Sequence, residues 1–366
     1  MQALAVSVRK AAVDAGADAV GVTTTAPFPE VRADLRARRA DGLSGPLRFT
    51  YDDPDAASDP AATVPWAARL VAVGRSYVPD AGGQQPGPGE AAVARFATAD
   101  HYRPLASVLE AVSATLSAAG YRAEAFADDP RLVDRAVAVR AGLGWWGKNT
   151  LVIAPRVGPW MLLGAVATDA ELPTTAPMRR DCGTCDACLP ACPTGALVEP
   201  GVLDARRCIS TWLQSPGDIP RWIRPSVGGR IYGCDDCLDA CPPGARLASG
   251  PAEPAHDIEG LLALDDEALL ARFTHFYVPR RQGRYLRRNL VVALANTGEP
   301  HHVGAMTALA RHPSALIRRH AAWGLGRLAE RHGLGEAVGA VLAGLIEDEG
   351  VADVLDELEA ARATLR

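Results

Sequence analysis

The chain has 366 residues, 48% of them hydrophobic and 22% charged, and carries a formal net charge of -5 at pH 7. That length buries sizeable cores and fits two or three domains, which excludes a small ferredoxin. Apolar runs are too short to span a bilayer, and the acidic balance gives no global attraction for nucleic acid, although a local basic surface stays possible.

The opening stretch, MQALAVSVRKAAVDAGADAVGV, is Ala-rich and amphipathic, without a signal-like apolar region or cleavage site, so a reducing cytoplasm is the expected setting. From Met1 to about Thr175, helical stretches alternate with short apolar runs at Leu70 to Val73, Leu151 to Ile153 and Leu162 to Val166. This alternation predicts an α/β or α+β domain over 1–176. Pro79 to Glu90, PDAGGQQPGPGE, reads as a flexible loop. Within Asp128 to Ile153, Asp134 and Arg135 lead a helical stretch that ends at Gly142. Gly142, Gly144 and Gly147 then let the backbone approach a ligand, with Trp145 and Trp146 as flat walls. The Gly147-Lys148-Asn149-Thr150 ending is not a phosphate loop, because Asn149 stands where GxxxxGK[ST] requires Ser or Thr.

All eight cysteines follow, between residues 177 and 250. Cys182, Cys185, Cys188 and Cys192, followed by Pro193, spell CxxCxxCxxxCP; Cys208 is followed by Cys234, Cys237, Cys241 and Pro242. Soft thiolates at these spacings hold iron and sulfide, and the last cysteine of each run crosses to the other cluster. Two 4Fe-4S clusters are therefore predicted, one on Cys182, Cys185, Cys188 and Cys241, the other on Cys192, Cys208, Cys234 and Cys237. A zinc site would need neither the third cysteine of the run nor the trailing CP, and a disulfide framework suits a short exported chain.

From Asp257 onward the pattern is helical. Arg287 to Leu294 (RRNLVVAL) recurs 31 positions later as Arg318 to Leu325 (RRHAAWGL), which predicts stacked helix pairs of HEAT type or, alternatively, an ordinary bundle. Arg280, Arg281, Arg284, Arg287 and Arg288, with Tyr277 and Tyr285 interleaved, are candidate nucleic-acid-binding residues, joined by Arg318 and Arg319; the bland alternative is a solvated helix face.

The segments LVDRAVAVRAGLGWWGKNTLVI, CGTCDACLPACPTGAL, DARRCIS, GGRIYGCDDCLDACP and RRNLVVALANTG occur in an order and spacing that resemble the epoxyqueuosine reductase family. The resemblance implies an α+β fold with an N-terminal α/β cobalamin-binding domain (1–176), a ferredoxin-like two-cluster domain (177–250) and C-terminal HEAT-like α-helical repeats (251–366). It implies reduction of epoxyqueuosine to queuosine at the tRNA wobble position by reduced cobalamin, recharged through both clusters by an external donor such as ferredoxin or flavodoxin. A monomer in contact with tRNA and not with a membrane is expected. Asp134 matches the family's proton donor, while a purely helix-leading carboxylate or an ion pair to Arg135 or Arg140 is the alternative. Lys148, Asn149, Thr150, Ser210 and Asp235 are the implied cobalamin contacts; Ser210 could instead cap a helix and Asp235 could serve cluster-loop amides.

Two departures from the family pattern stand out: Asp41 to Pro60 lacks its glycine-rich, methionine-containing segment, and Pro242-Pro243-Gly244 replaces the usual aromatic after the last cysteine. They keep open a divergent paralogue acting on another electrophile, such as a dehalogenase-like cobalamin reductase; the rival from a different class is a noncatalytic iron-sulfur electron carrier.

Overall fold

The computed structural model describes residues 1–78, 83–247 and 254–365. Where the sequence suggests three successive domains, the chain divides into two compact units woven from separate segments. The first takes residues 1–78, 99–206 and 235–247; the second takes 83–98, 207–234 and 254–365. The cysteine-bearing region is thus shared out between them. Of the expected flexible loop, residues 79–82 lie outside the described residues, and 83–87 carry no regular structure ahead of the strand Glu90–Val93. The boundary expected between 250 and 251 also lies outside the described residues.

The first unit is built on four strands in the order Ala19–Thr24, Arg69–Ser76, Met161–Thr168, Ala123–Ala127. Every neighbouring pair is antiparallel, which corrects the α/β expectation to α+β for this part of the chain. Its central strands read as continuous apolar runs because both faces are covered, a pattern that sequence shares with parallel sheets. Leu70 and Ala72 point into one core with Ala136, Val137 and Ala138; Val71 and Val73 point into the other with Val8, Leu105, Val108 and Val112. Side chains alternate across a strand, so one short run stabilises two helix layers, and each fully buried Val or Leu contributes roughly 1.5–3 kcal/mol.

One of those layers carries the helix Asp134–Arg140. It closes with Gly142 at φ +75°, a left-handed conformation that glycine adopts without a steric cost. The closing turn lies against the first strand at Gly21, where an added Cβ would sit 2.0 Å from the Ala141 carbonyl oxygen. That close approach sets the direction in which the following loop leaves the sheet.

The second unit holds a three-stranded sheet, Arg230–Tyr232, Glu90–Val93 and His256–Asp257, and the helices Arg284–Thr297, Ala315–His332, Gly335–Asp348 and Ala352–Ala363. The 31-residue recurrence matches side-chain roles. The first arginine of each pair pins a preceding turn: Arg287 donates to Leu262 O, Leu264 O and Asp266, and Arg318 to His312 O, Pro313 O and Glu349. The second arginine and its neighbour hold the 212–219 segment. Arg288 donates to Trp212 O, Ser215 O and Gly217 O, and Asn289 to Leu213 O. In the later copy Arg319 pairs with Asp218, and His320 accepts from Ile219 N. No helix among the described residues is long and apolar enough to cross a membrane.

Candidate active site

The loop after Gly142 is a hairpin. Trp145–Trp146 pairs antiparallel with Val152–Ile153, Gly147 N donates to Leu151 O and Thr150 N to Gly147 O, so Lys148, Asn149 and Thr150 form its tip. Strand alternation buries Trp145 and leaves Trp146 42% exposed. Thr150 sits at φ +69°, a conformation that costs a β-branched residue about 1–3 kcal/mol and marks a position held by its surroundings.

Asp134 opens its helix half-buried, accepting a 2.6 Å hydrogen bond at Oδ1 from Arg135 N. Burial pushes its carboxyl up, outweighing the Arg135 charge that draws it down. Neither alternative partner is paired with it. The Arg135 guanidinium donates to Thr150 O at 3.2 Å, and Arg140 is spent on Thr23 Oγ1, Thr24 O and Ala26 O while stacking on Phe28. Burial lowers Arg140 to about 10. The divergent 41–60 segment braces this region, because Val133 N donates to Ala57 O. Sequence reading missed Asp128, which ends the neighbouring strand at φ +50° with its carboxyl raised by burial and by the charge of Asp134.

The cysteines are all free thiols. In the first unit Cys241 and Cys182 share an apolar pocket with Trp145, Ile153 and Met178. Burial pushes the Cys241 thiol up to about 11, and the nearby Cys182, Cys188 and Cys185 raise it further. The Cys188 thiol is likewise raised, first by burial, with Lys148 acting in the opposite direction. Four gathered thiols, of which Cys188 and Cys241 are raised, suit a cationic iron centre, which draws off the protons. Also in this unit, Cys192 Sγ accepts from Ala196 N at 3.2 Å, a donor suited to a thiolate. In the second unit Cys208 precedes the helix Ile209–Leu213, and Cys234 packs on the core of Ile209, Leu213 and Ile219.

The implied cobalamin contacts fare unequally. Lys148 does not point at free space: Nζ donates to Gly183 O at 2.8 Å, inside the first cysteine loop. Asn149 is 3% exposed; its Oδ1 accepts from Leu151 N while Nδ2 has no partner, an orphaned donor of the kind a ligand satisfies. Ser210 is not a helix cap but lies within Ile209–Leu213, accepting from Gln214 Nε2 at 2.9 Å. Asp235 precedes the short helix Asp236–Asp239 without capping it through its side chain.

Of the expected tRNA-binding arginines, Arg280, Arg281 and Arg284 are exposed, next to Tyr277 at 66% exposure. Arg280 and Arg281 both hold left-handed backbone. Arg287 and Arg288 are buried and committed to the bonds described above, so they are corrected from phosphate binders to structural pins. Tyr285 is buried as well, and Arg318 and Arg319 are paired with Glu349 and with Asp218 and Asp353.

Gathered thiols at ferredoxin spacing define an iron-sulfur oxidoreductase, and the same unit carries a carboxyl that burial holds toward its neutral form. Residues 181–244 match the 4Fe-4S double cluster binding domain. The chain is 35% identical over 353 residues to an epoxyqueuosine reductase of Xanthomonas campestris pv. campestris, covering 90% of this chain and 96% of that one. Two solved structures share the fold over 98% of this chain, each with a TM-score of 0.86. One is an epoxyqueuosine reductase with an epoxyqueuosine-modified tRNA-Tyr stem loop, 29% identical and covered over 97%. The other is the Bacillus subtilis epoxyqueuosine reductase with its catalytic aspartate loop swung out of the active site, 28% identical and covered over 98%. The chain belongs to the epoxyqueuosine reductase family.

Proposed function

We propose that this chain reduces epoxyqueuosine to queuosine in tRNA, with Asp134 as proton donor, cobalamin and two 4Fe-4S clusters as cofactors, and tRNA and an external one-electron donor as partners. One observation carries the reading. A single hairpin ties the acid to the cysteine loop, through Arg135 to Thr150 O at one side and Lys148 to Gly183 O at the other. Replacing the epoxide by a carbon-carbon double bond consumes two electrons and two protons and releases water, so an acid and an electron relay must serve one substrate.

When bound, reduced cobalamin supplies a nucleophilic cobalt and the clusters supply single electrons. Cys182, Cys185, Cys188 and Cys241 hold the first cluster; motif spacing assigns Cys192, Cys208, Cys234 and Cys237 to the second. Asn149, with its orphaned Nδ2, would hold the corrin together with Thr150, Ser210 and Asp235, whereas Lys148 serves the cluster loop. Asp134, whose neutral form burial favours, gives its proton to the epoxide oxygen as the carbon-oxygen bond breaks. Arg135 cannot take over that task, since a guanidinium stays protonated. Exposed Tyr277, Arg280, Arg281 and Arg284 form the tRNA surface, an aromatic for an unstacked base among cations for phosphates. The helices from Arg284 onward are HEAT-like repeats, supported by the matched roles of Arg287 with Arg318 and Arg288 with Arg319.

The cofactor reading is tested by anaerobic reconstitution followed by iron, sulfide and cobalt analysis. The wild-type chain is expected to hold two clusters and one corrin, and Cys182→Ser to lose one cluster only. Loss of both clusters in Cys182→Ser, or no retained corrin in the wild type, would overturn it.

A further inference from the structure

The Trp145 side chain is 8% exposed and its indole Nε1 has no hydrogen-bond partner. A buried N–H left unsatisfied costs about 1–3 kcal/mol, and folded chains rarely leave one without a reason. The surroundings narrow what that reason is. The pocket's other members are Ile153, Met178, Cys241 and Cys182, and the Arg180 guanidinium lies 5.1 Å from the ring centroid. Ile153 has no polar atom, a guanidinium has donors only, and a thioether is a weak acceptor. Cys241 and Cys182, two of the four first-cluster cysteines, pack in the same hydrophobic cluster as the ring.

Resting on the iron-sulfur part of the reading above, we infer that Trp145 Nε1–H donates a hydrogen bond to a sulfur of the first 4Fe-4S cluster and sets its reduction potential. Reduction adds negative charge to the cluster, and a donor aimed at sulfur stabilises the more negative state. Trp145 is therefore a positioning and potential-setting residue, not a catalytic one. The adjacent Trp146 cannot share the role, because strand alternation turns it outward.

The test is a potentiometric titration of the reconstituted chain, followed by electron paramagnetic resonance, for the wild type, Trp145→Phe and Trp146→Phe. Phenylalanine keeps an aromatic ring and removes the N–H. In Trp145→Phe the reduced-to-oxidised ratio of one cluster at fixed ambient potential should fall at least threefold, about 28 mV at 59 mV per tenfold for one electron. The other cluster, and both clusters of Trp146→Phe, should not move. An unchanged ratio in Trp145→Phe with two intact clusters would overturn the inference and leave the functional reading standing; absence of clusters from the wild type would overturn the reading itself. If Trp145→Phe fails to assemble the cluster, wild-type protein grown with indole-¹⁵N tryptophan decides. A ¹⁵N coupling to the reduced first cluster supports the bond, and its absence refutes it.

Discussion

Replacing Arg288 by alanine should unfold the protein more readily without touching tRNA recognition, whereas replacing Arg280 or Arg284 should do the reverse. Arg288 is 0% exposed and holds the carbonyls of Trp212, Ser215 and Gly217, with Asn289 Oδ1 as a further acceptor. Truncation removes the guanidinium from all three oxygens, of which Trp212 O keeps a long bond from Ser215 N, and removing one side of a buried charged network costs about 3–5 kcal/mol. At ~2–4 °C per kcal/mol for a unit of this size, the melting temperature should drop by on the order of 10 °C. Arg280 and Arg284 are exposed, so Arg280→Ala and Arg284→Ala should stay within about 0.5 kcal/mol of the parent. Each phosphate contact they lose should flatten the slope of log affinity against log salt by roughly 0.7, the single-strand value. Differential scanning fluorimetry and fluorescence anisotropy with a tRNA stem loop across salt concentrations measure both quantities. An Arg288→Ala chain with an unshifted melting temperature and a flattened salt slope would refute the burial argument.

Asp134→Asn should retain both clusters and corrin while losing turnover by at least about 100-fold, the lower end of general acid catalysis, as single-turnover assays would show. Because burial raises the Asp134 carboxyl, wild-type turnover should fall as pH rises through that elevated value. For a carboxyl whose folded pKa exceeds the unfolded one, ionisation costs stability above the unfolded pKa and nothing well below it. Asp134→Asn should therefore be more stable than wild type near neutral pH, with the difference vanishing in acid by denaturant titration. Asn149→Asp keeps the acceptor for Leu151 N but removes the orphaned donor, so corrin retention measured by equilibrium dialysis should weaken by about tenfold. Gly21→Ala forces a Cβ against the Ala141 carbonyl, and should cost about 3 kcal/mol in chemical denaturation while depressing turnover through the displaced Asp134–Arg140 helix.

Much of the site was legible because its chemistry is written in local spacing. The cysteine runs stand at the spacing of a double-cluster domain, and Gly142 marks the end of the Asp134 helix for a conformational reason that any reader of the chain can apply. What stayed hidden depends on long-range packing. Arg287 and Arg288 read as cations for phosphate because charge in a sequence implies water; only the carbonyls of residues 212–217 and 262–264 show that the fold consumes them. Trp145 and Trp146 look equivalent until pairing with Val152 and Ile153 assigns them opposite faces. Lys148 looks wholly available for a ligand until Gly183, 35 residues away, takes one of its three donors. The antiparallel sheet was concealed by strands buried on both faces, whose apolar runs carry no mark of direction. The reading as a paralogue acting on another electrophile arose from the divergent 41–60 segment and the Pro242-Pro243-Gly244 ending. The first of these braces the acid loop at Ala57, and the second lies against the Gly158 turn, where a Cβ on Gly158 would meet Gly244 N at 2.9 Å.

The central claim is tested most directly by incubating the anaerobically reconstituted chain, a reductant and epoxyqueuosine-containing tRNA, then analysing the digested nucleosides by mass spectrometry. The account predicts queuosine in wild-type reactions and unchanged epoxyqueuosine with Asp134→Asn. Unchanged epoxyqueuosine with wild-type protein holding both clusters and corrin would contradict it.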